Sequence, residues 1–346
     1  MDNSKSQKGP SYLSAPNVQL EKGTNSIKYL VTSAQGISSA VSCEILPAMS
    51  LNYFDIHASA LPGELGESPE IAPVQFNYCI SGRIELILED GTCLYLKEND
   101  YVLSRQNSQS ESGFPTGLYQ GISLIFEPAA FCESNRALLE VLGLELSQLQ
   151  TLYFDQQATY IGEAGKELKA VLDELWSLLE TPFTFYGKLR VIELLHLLLQ
   201  KESGPEKCYT FYTSTQVALA KKAEQLLTAD LRKHIPVHQL AAQLGVGETS
   251  LKNYFRGVYG QNVSDYLRDL RMGMAAELLR ETKLSVAEIS ASVGYVKQGK
   301  FAAVFRAQYN LNPLEYRRIK RIELVSMLIK NSSRKPGVGD EPREIY

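Results

Sequence analysis

Hydrophobic and polar positions alternate through "VQFNYCISGRIELILEDGTCLYLKENDYVLS", residues 74–104. Ile84, Leu86 and Leu88 stand two apart, the period of a strand with one buried face. Asp90-Gly91 then separates two apolar runs, which is the strongest short-range hairpin signal. "SGR" and "END" add further turns. Short strands punctuated this closely predict a β sandwich or barrel over residues from about 20 to 127. The period then changes. Leu168, Val171, Leu172, Leu175 and Leu179 form one helical stripe. Leu189, Ile192, Leu195 and Leu199 form a second, between Pro182 and the break "KESGP". Residues 128–202 therefore read as helical. After a polar linker at 201–213, helical periodicity runs to Lys330. The first twenty residues and the polar, Pro/Gly-bearing tail 331–346 read as disordered.

The second helical region contains a repeat. Residues 237–245, "VHQLAAQLG", match residues 286–294, "VAEISASVG", at an offset of 49. Leu251 and Phe255 match Phe301 and Phe305 at an offset of 50, and Gly260, Tyr266 and Arg268 match Asn310, Tyr316 and Arg318. Each copy predicts an amphipathic helix that stops at a glycine suited to a left-handed C-terminus, followed by a second helix. Helix, tight glycine-bearing turn, helix is the helix-turn-helix arrangement. Ser285 and Glu288 form a capping box for the later copy. Between the copies "VSDYLRDLRMGMAAELLRE", 19 residues, predicts one helix about 28 Å long at ~1.5 Å per residue. Successive major grooves on one face of DNA lie ~34 Å apart. A rod of this length suits two reader helices in adjacent grooves.

Helical spacing divides each second helix into two faces. Leu251, Phe255 and Val258 face a core, as do Phe301, Val304 and Phe305. Thr249, Lys252, Asn253 and Arg256 point outward in the first copy. Gly299, Ala302, Ala303 and Arg306 do so in the second. Thr, Lys, Asn and Arg suit base edges and phosphates. An ordinary solvated face carries such residues too, so charge has to help decide. Residues 1–215 hold 14 basic and 26 acidic residues, a balance of −12, whereas residues 216–330 hold 18 and 10, a balance of +8. A basic domain with a duplicated reader unit points to a polyanion, here double-stranded DNA.

Composition narrows the remaining classes. A chain of 346 residues, 44% hydrophobic and 21% charged, predicts two globular domains. The opening "MDNSKSQKGP" lacks the apolar core of a signal peptide. No apolar run reaches the ~20 residues that span a bilayer. A soluble cytoplasmic protein without a membrane partner is expected. The five cysteines are odd in number and have no metal-like spacing, so reduced thiols are expected. The four histidines are His57, His196, His234 and His238. With none between 58 and 195, a metal-dependent barrel enzyme lacks its ligands. No catalytic residue, metal site or cofactor is assigned.

The 216–318 region resembles the DNA-binding domain of the AraC/XylS transcription regulators. "LAAQLGV", "LKNYFRGVYG", Arg271 with Ala275 and Leu278-Leu279, "SVAEISASVGY", "FAAVFRAQYN" and "NPLEYRR" carry the likeness. The resemblance implies base-reading positions at Thr249, Lys252 and Asn253, and at Gln298, Gly299, Lys300 and Ala303. Gly247 and Lys297 stand where the family usually has a capping Ser. "FNYCISGRIELIL" and "LYLKENDYVLS" resemble the family's cupin-like sensor domain. The implied class is α+β. A cupin-like β-barrel or sandwich with a helical dimerisation segment would span 21–200, and an all-α domain with two helix-turn-helix units 214–330. The resemblance also implies a homodimer, an unknown small-molecule effector and contact with RNA polymerase. Phe76, Tyr78 and Arg105 are pocket candidates, on alternation and polarity. The alternative is a DNA-binding regulator whose front half only pairs subunits or contacts proteins.

Overall fold

The computed structural model describes residues 18–23, 26–33, 36–60, 73–88, 90–105, 113–155, 158–179, 185–200 and 209–319. The expectations for the first seventeen residues, for 201–208, and for the terminal helix and tail beyond 319 fall outside these residues. The chain divides into two compact units, one of residues 1–218 with 254–260, the other of 219–253 with 261–346.

The first unit is built on β1 (Val18–Lys22), β2 (Ser26–Ser33), β3 (Gly36–Leu46), β4 (Met49–Ile56), β5 (Val74–Gly82), β8 (Asp100–Ser104), β9 (Tyr119–Phe126) and β10 (Thr159–Glu163). They form one antiparallel sheet in the order β1-β2-β3-β4-β9-β5-β8-β10. Among the described residues β1 and β10 are its edges, so the ladder is an open sheet. β6 (Ile84–Ile87) and β7 (Cys93–Leu96) form a separate hairpin. Its turn contains Gly91 at φ +77°, as Asp90-Gly91 predicts.

Strand parity decides which side chains meet the helices. Cys43, Leu51, Leu124, Phe76 and Leu103 lie in one cross-strand row. Tyr53, Ile122, Tyr78 and Tyr101 form the next row on the same face. This apolar face packs against α1 (Glu133–Val141), α2 (Gln148–Tyr153), α3 (Lys166–Ser177) and α4 (Phe185–Gln200). Val171, Leu172 and Leu175 on α3 join Val191, Leu194, Leu195 and Leu198 on α4 in that core.

One expectation changes here. The run 128–202 is not wholly helical, because β10 interrupts it and pairs with β8. Gly162 of β10 packs against the Tyr101 ring, where a Cβ would lie 2.5 Å from Cζ. The leucine stripes also lie largely against the sheet, with Leu189 the member left exposed. Leu172 and Leu195 are 0% and 1% exposed, because the apolar sheet face needs a cover. The outward apolar positions of α4 are Phe185, Tyr186 and Leu189.

Residues 209–213, the described part of the linker, are hydrogen-bonded to the sheet unit. Tyr212 donates its backbone N–H to the Cys93 carbonyl at 2.9 Å, and Cys93 donates back to Tyr212 at 2.7 Å. Tyr209 donates its hydroxyl to Asp100 at 3.3 Å.

Beyond the linker come α5 (Ser214–Thr228), α6 (Val237–Gln243), α7 (Glu248–Tyr259), α8 (Val263–Glu281), α9 (Val286–Ser292) and α10 (Gln298–Tyr309). A last helix covers 313–319. The 19 residues of α8 are those that periodicity predicts. No helix among the described residues is long and apolar enough to cross a membrane.

Candidate nucleic-acid interface

The second helix-turn-helix unit has its own core. Met272, Ala275, Ala276 and Leu279 of α8 meet Val286, Ile289 and Val293 around α9, and Phe301 and Phe305 of α10. Phe305 packs edge-on to Tyr316 with ring centroids 5.4 Å apart. The turn between α9 and α10 depends on Gly294, at φ +83°. The buried Ser290 hydroxyl donates to the Tyr295 carbonyl at 3.3 Å, which fixes the other end of the turn.

Capping sets where α9 and α10 begin. Ser285 Oγ accepts from the Glu288 N–H at 3.2 Å, and Glu288 Oε2 accepts from the Ser285 N–H at 2.7 Å. This is the predicted capping box, and these hydrogen bonds hold the Glu288 carboxyl below its ordinary range. Lys297, at the start of α10, makes no side-chain cap. Lysine has no acceptor to offer the free N–H groups of the first turn. At the far end Asn310 adopts φ +55° and closes the helix.

The outward faces stand clear. Phe301 and Phe305 are buried, whereas Gln298, Gly299, Lys300, Ala303 and Arg306 are exposed. Along α7, Leu251, Phe255 and Val258 are fully buried, and Thr249, Lys252, Asn253 and Arg256 are exposed. Each reader helix thus separates a packed aromatic face from a solvent-facing polar one. The two faces differ in chemistry. On α10, Ala302, Ala303, Arg306 and Ala307 line an open hollow with Asn310 and Asn312, about 600 Å³ in volume. A Cβ added at Gly299 would meet nothing within 4 Å.

One feature of α7 lay outside the sequence reading. Lys252 Nζ pairs with Glu248 Oε1 at 2.6 Å. Hydrogen bonding from the Lys252 ammonium lowers the Glu248 pKa. The i,i+4 spacing was the available signal. Glu248 suits the positive end of the helix dipole, but it also occupies the ammonium that Lys252 would offer to DNA.

Around these faces, basic residues do structural work. The Arg271 guanidinium donates to the Lys233 carbonyl at 3.0 Å, and that of Arg317 to the Leu284 carbonyl at 2.6 Å. Tyr266 donates to Glu224 at 3.1 Å and ties α8 to α5. The Arg271 and Arg317 guanidiniums add positive charge while tied to these carbonyls.

The pocket candidates of the first unit are placed differently. Phe76 and Tyr78 lie on the sheet face that packs against the helices, both 0% exposed. The Phe76 ring centroid is 5.5 Å from that of Tyr101, and the Tyr78 hydroxyl donates to Asn99 at 3.1 Å. Arg105 is exposed, with its guanidinium 5.7 Å over the Phe154 ring. The structure therefore does not bring these three together around one space. Among the described residues no group of three or more His, Cys, Asp and Glu could hold a metal ion.

A family profile described as a helix-turn-helix domain matches residues 240–319. The regulatory protein SoxS of Escherichia coli (strain K12) is 35% identical over 101 residues, 28% of this chain and 94% of SoxS. A putative AraC-like transcription regulator of Streptomyces antibioticus is 28% identical over 131 residues, 38% of this chain and 43% of that protein. The solved structure of ToxT from Vibrio cholerae covers 78% of this chain and 98% of its own, at 15% identity and a TM-score of 0.30. Two helix-turn-helix units on a long connecting helix, matched over nearly the whole of SoxS, place this chain in the AraC/XylS family of DNA-binding transcription regulators.

Proposed function

We propose that this chain is a dimeric, ligand-responsive regulator that reads its operator mainly through α7. The observation that carries this reading is the clear exposure of Thr249, Lys252, Asn253 and Arg256 above the buried Leu251, Phe255 and Val258. Asn253 can bond an adenine edge in bidentate fashion, Lys252 a guanine edge, and Thr249 either a base or a phosphate. Gln298, Lys300 and Arg306 on α10 hold the backbone, with short side chains between them. The open sheet acts as a cupin-like sensor, and a small-molecule effector bound there shifts the population of DNA-competent states. Two copies pair through the outer face of α4, where Phe185 is 76% exposed and Leu189 43% exposed.

Selection of duplexes from a randomised library by the full-length chain tests this reading. A discrete consensus is expected, and Asn253→Ala should flatten it at one or two positions. Binding without sequence preference would refute the operator-reading role. Sedimentation of the free chain tests pairing, and a monomer at all concentrations would refute it.

A further inference from the structure

α7 carries one acidic residue, Glu248, and it stands on the face the helix leaves open. Glu248 begins the helix and is exposed together with Thr249, Lys252, Asn253 and Arg256. The repeat sets Glu248 fifty residues before Gln298, which opens α10 and is exposed too. The two copies part at the next turn. Lys252 follows Glu248 by four residues, whereas Ala302 follows Gln298. Only the first copy therefore presents a carboxylate and an ammonium side by side, with Glu248 Oε1 and Lys252 Nζ 2.6 Å apart.

A first-turn carboxylate suits the helix dipole and needs no ligand to account for it. Its place on this helix has a second consequence. In a helix-turn-helix unit the N-terminal residues of the second helix meet the base edges. α7 is that helix, so Glu248 enters the groove with Lys252, where the surrounding phosphates repel it. Hydrogen bonding from Lys252, with a lesser contribution from the charge of His238, holds the Glu248 carboxyl below its ordinary range. It is therefore ionised at neutral pH and can only accept. A desolvated anion that meets no donor is costly. In the major groove guanine offers O6 and N7 and thymine offers O4, all of them acceptors, whereas cytosine offers its N4 amino group.

We propose that Glu248 is a specificity-determining residue of α7, its carboxylate accepting from a cytosine N4 amino group while Lys252 donates to O6 and N7 of the paired guanine. The inference deepens the operator-reading role of α7 and rests on it. The ion pair presents an acceptor beside a donor, which matches the donor beside two acceptors on a C·G edge. An A·T pair offers the adenine N6 donor, but it sets one thymine O4 and a methyl group where the ammonium needs acceptors. Discrimination works by exclusion as much as by attraction, because a wrong pair leaves the carboxylate facing lone pairs.

The test starts from the consensus that the full-length chain selects from a randomised duplex library. At each consensus position the alternative base pairs are introduced one at a time. The parent, Glu248→Ala and Glu248→Gln are titrated against them, with thermal melts alongside. At one position the parent should prefer C·G by about tenfold. Glu248→Ala should cut that preference to about twofold or less, mainly by raising affinity for the wrong pairs. Glu248→Gln should move the preference towards adenine, because a carboxamide can pair with N6 and N7 together. Asn253→Ala should leave this position as it is. A lowered Tm with the parental base preference would make Glu248 a purely structural residue and overturn the proposal, as would an affected position that is A·T in the parent consensus. A consensus that responds to Asn253→Ala and ignores both Glu248 variants would keep operator reading by α7 and overturn the Glu248 assignment alone. The absence of any consensus would overturn both.

Discussion

The Cβ that Gly294 lacks would stand 2.5 Å from the carbonyl oxygen of Leu231. Gly294 therefore meets two demands at once, a left-handed backbone and a close backbone approach. Its counterpart Gly245 has φ +70°, but an added Cβ there would meet nothing within 4 Å. The repeat makes the two glycines equivalent in sequence, and packing makes them unequal in cost. Gly245→Ala should lose about 1 kcal/mol, the usual left-handed penalty. Gly294→Ala should lose more than about 2 kcal/mol, because backbone must move as well. Thermal melts of the two single variants measure the gap, and equal losses would contradict it.

Phe301 sits inside the second unit's core, 0% exposed, with its ring centroid 5.7 Å from that of Phe305. Phe301→Ala should cost ~3–5 kcal/mol as a buried aromatic truncation. Ala303→Ser on the opposite face of the same helix should change stability by less than about 0.5 kcal/mol. Chemical denaturation of both variants tests the division between the two faces.

The reader helices should contribute unequally to specificity. Asn253→Ala should remove ~1–3 kcal/mol of discrimination at particular bases. Lys300→Ala and Arg306→Ala should weaken specific and non-specific duplexes by similar factors, with a shallower salt slope. Binding across a set of operator variants separates these outcomes. A change of base preference with Lys300→Ala and none with Asn253→Ala would reverse the assignment.

Glu248→Gln should free Lys252 from its partner and remove one negative charge from the face offered to DNA. Affinity should rise at low salt, and the dependence on salt should steepen. Titration at two salt concentrations reads the effect, and an unchanged slope would show that Lys252 stays clear of phosphates.

Leu172→Glu or Leu195→Glu should unfold the first unit, because each places a carboxylate in the core between sheet and helices. Leu189→Glu, on the exposed side of α4, should leave the fold intact and weaken pairing. Circular dichroism with sedimentation distinguishes the two classes of variant.

Much of the second unit was legible because its signals are local. The repeat, the capping box at Ser285 and Glu288, the glycine stops and the 19 residues of α8 each depend on neighbours in sequence. The first unit was harder because its decisive facts are long-range. Phe76 and Tyr78 share one face, but periodicity cannot say which face meets α1–α4 and which meets the β6–β7 hairpin. Periodicity likewise does not say whether the α3 and α4 stripes meet the sheet or a second subunit. Thr159, Tyr160 and Ile161 each favour a strand, but five residues are too few to show β10 inside a run that otherwise reads as helical. It forms because the edge of β8 has backbone groups that need partners, and β8 lies more than fifty residues earlier.

The emptiness around Gly299, Ala302 and Ala303 has an evolutionary consequence. Side chains can grow outward from α10 into open space while Phe301 and Phe305 continue to hold the unit together. Changes there escape the stability penalty that accompanies most core substitutions. A descendant of this chain could therefore acquire a new operator half-site by steps that each remain folded, with α7 preserving the old contacts while α10 drifts.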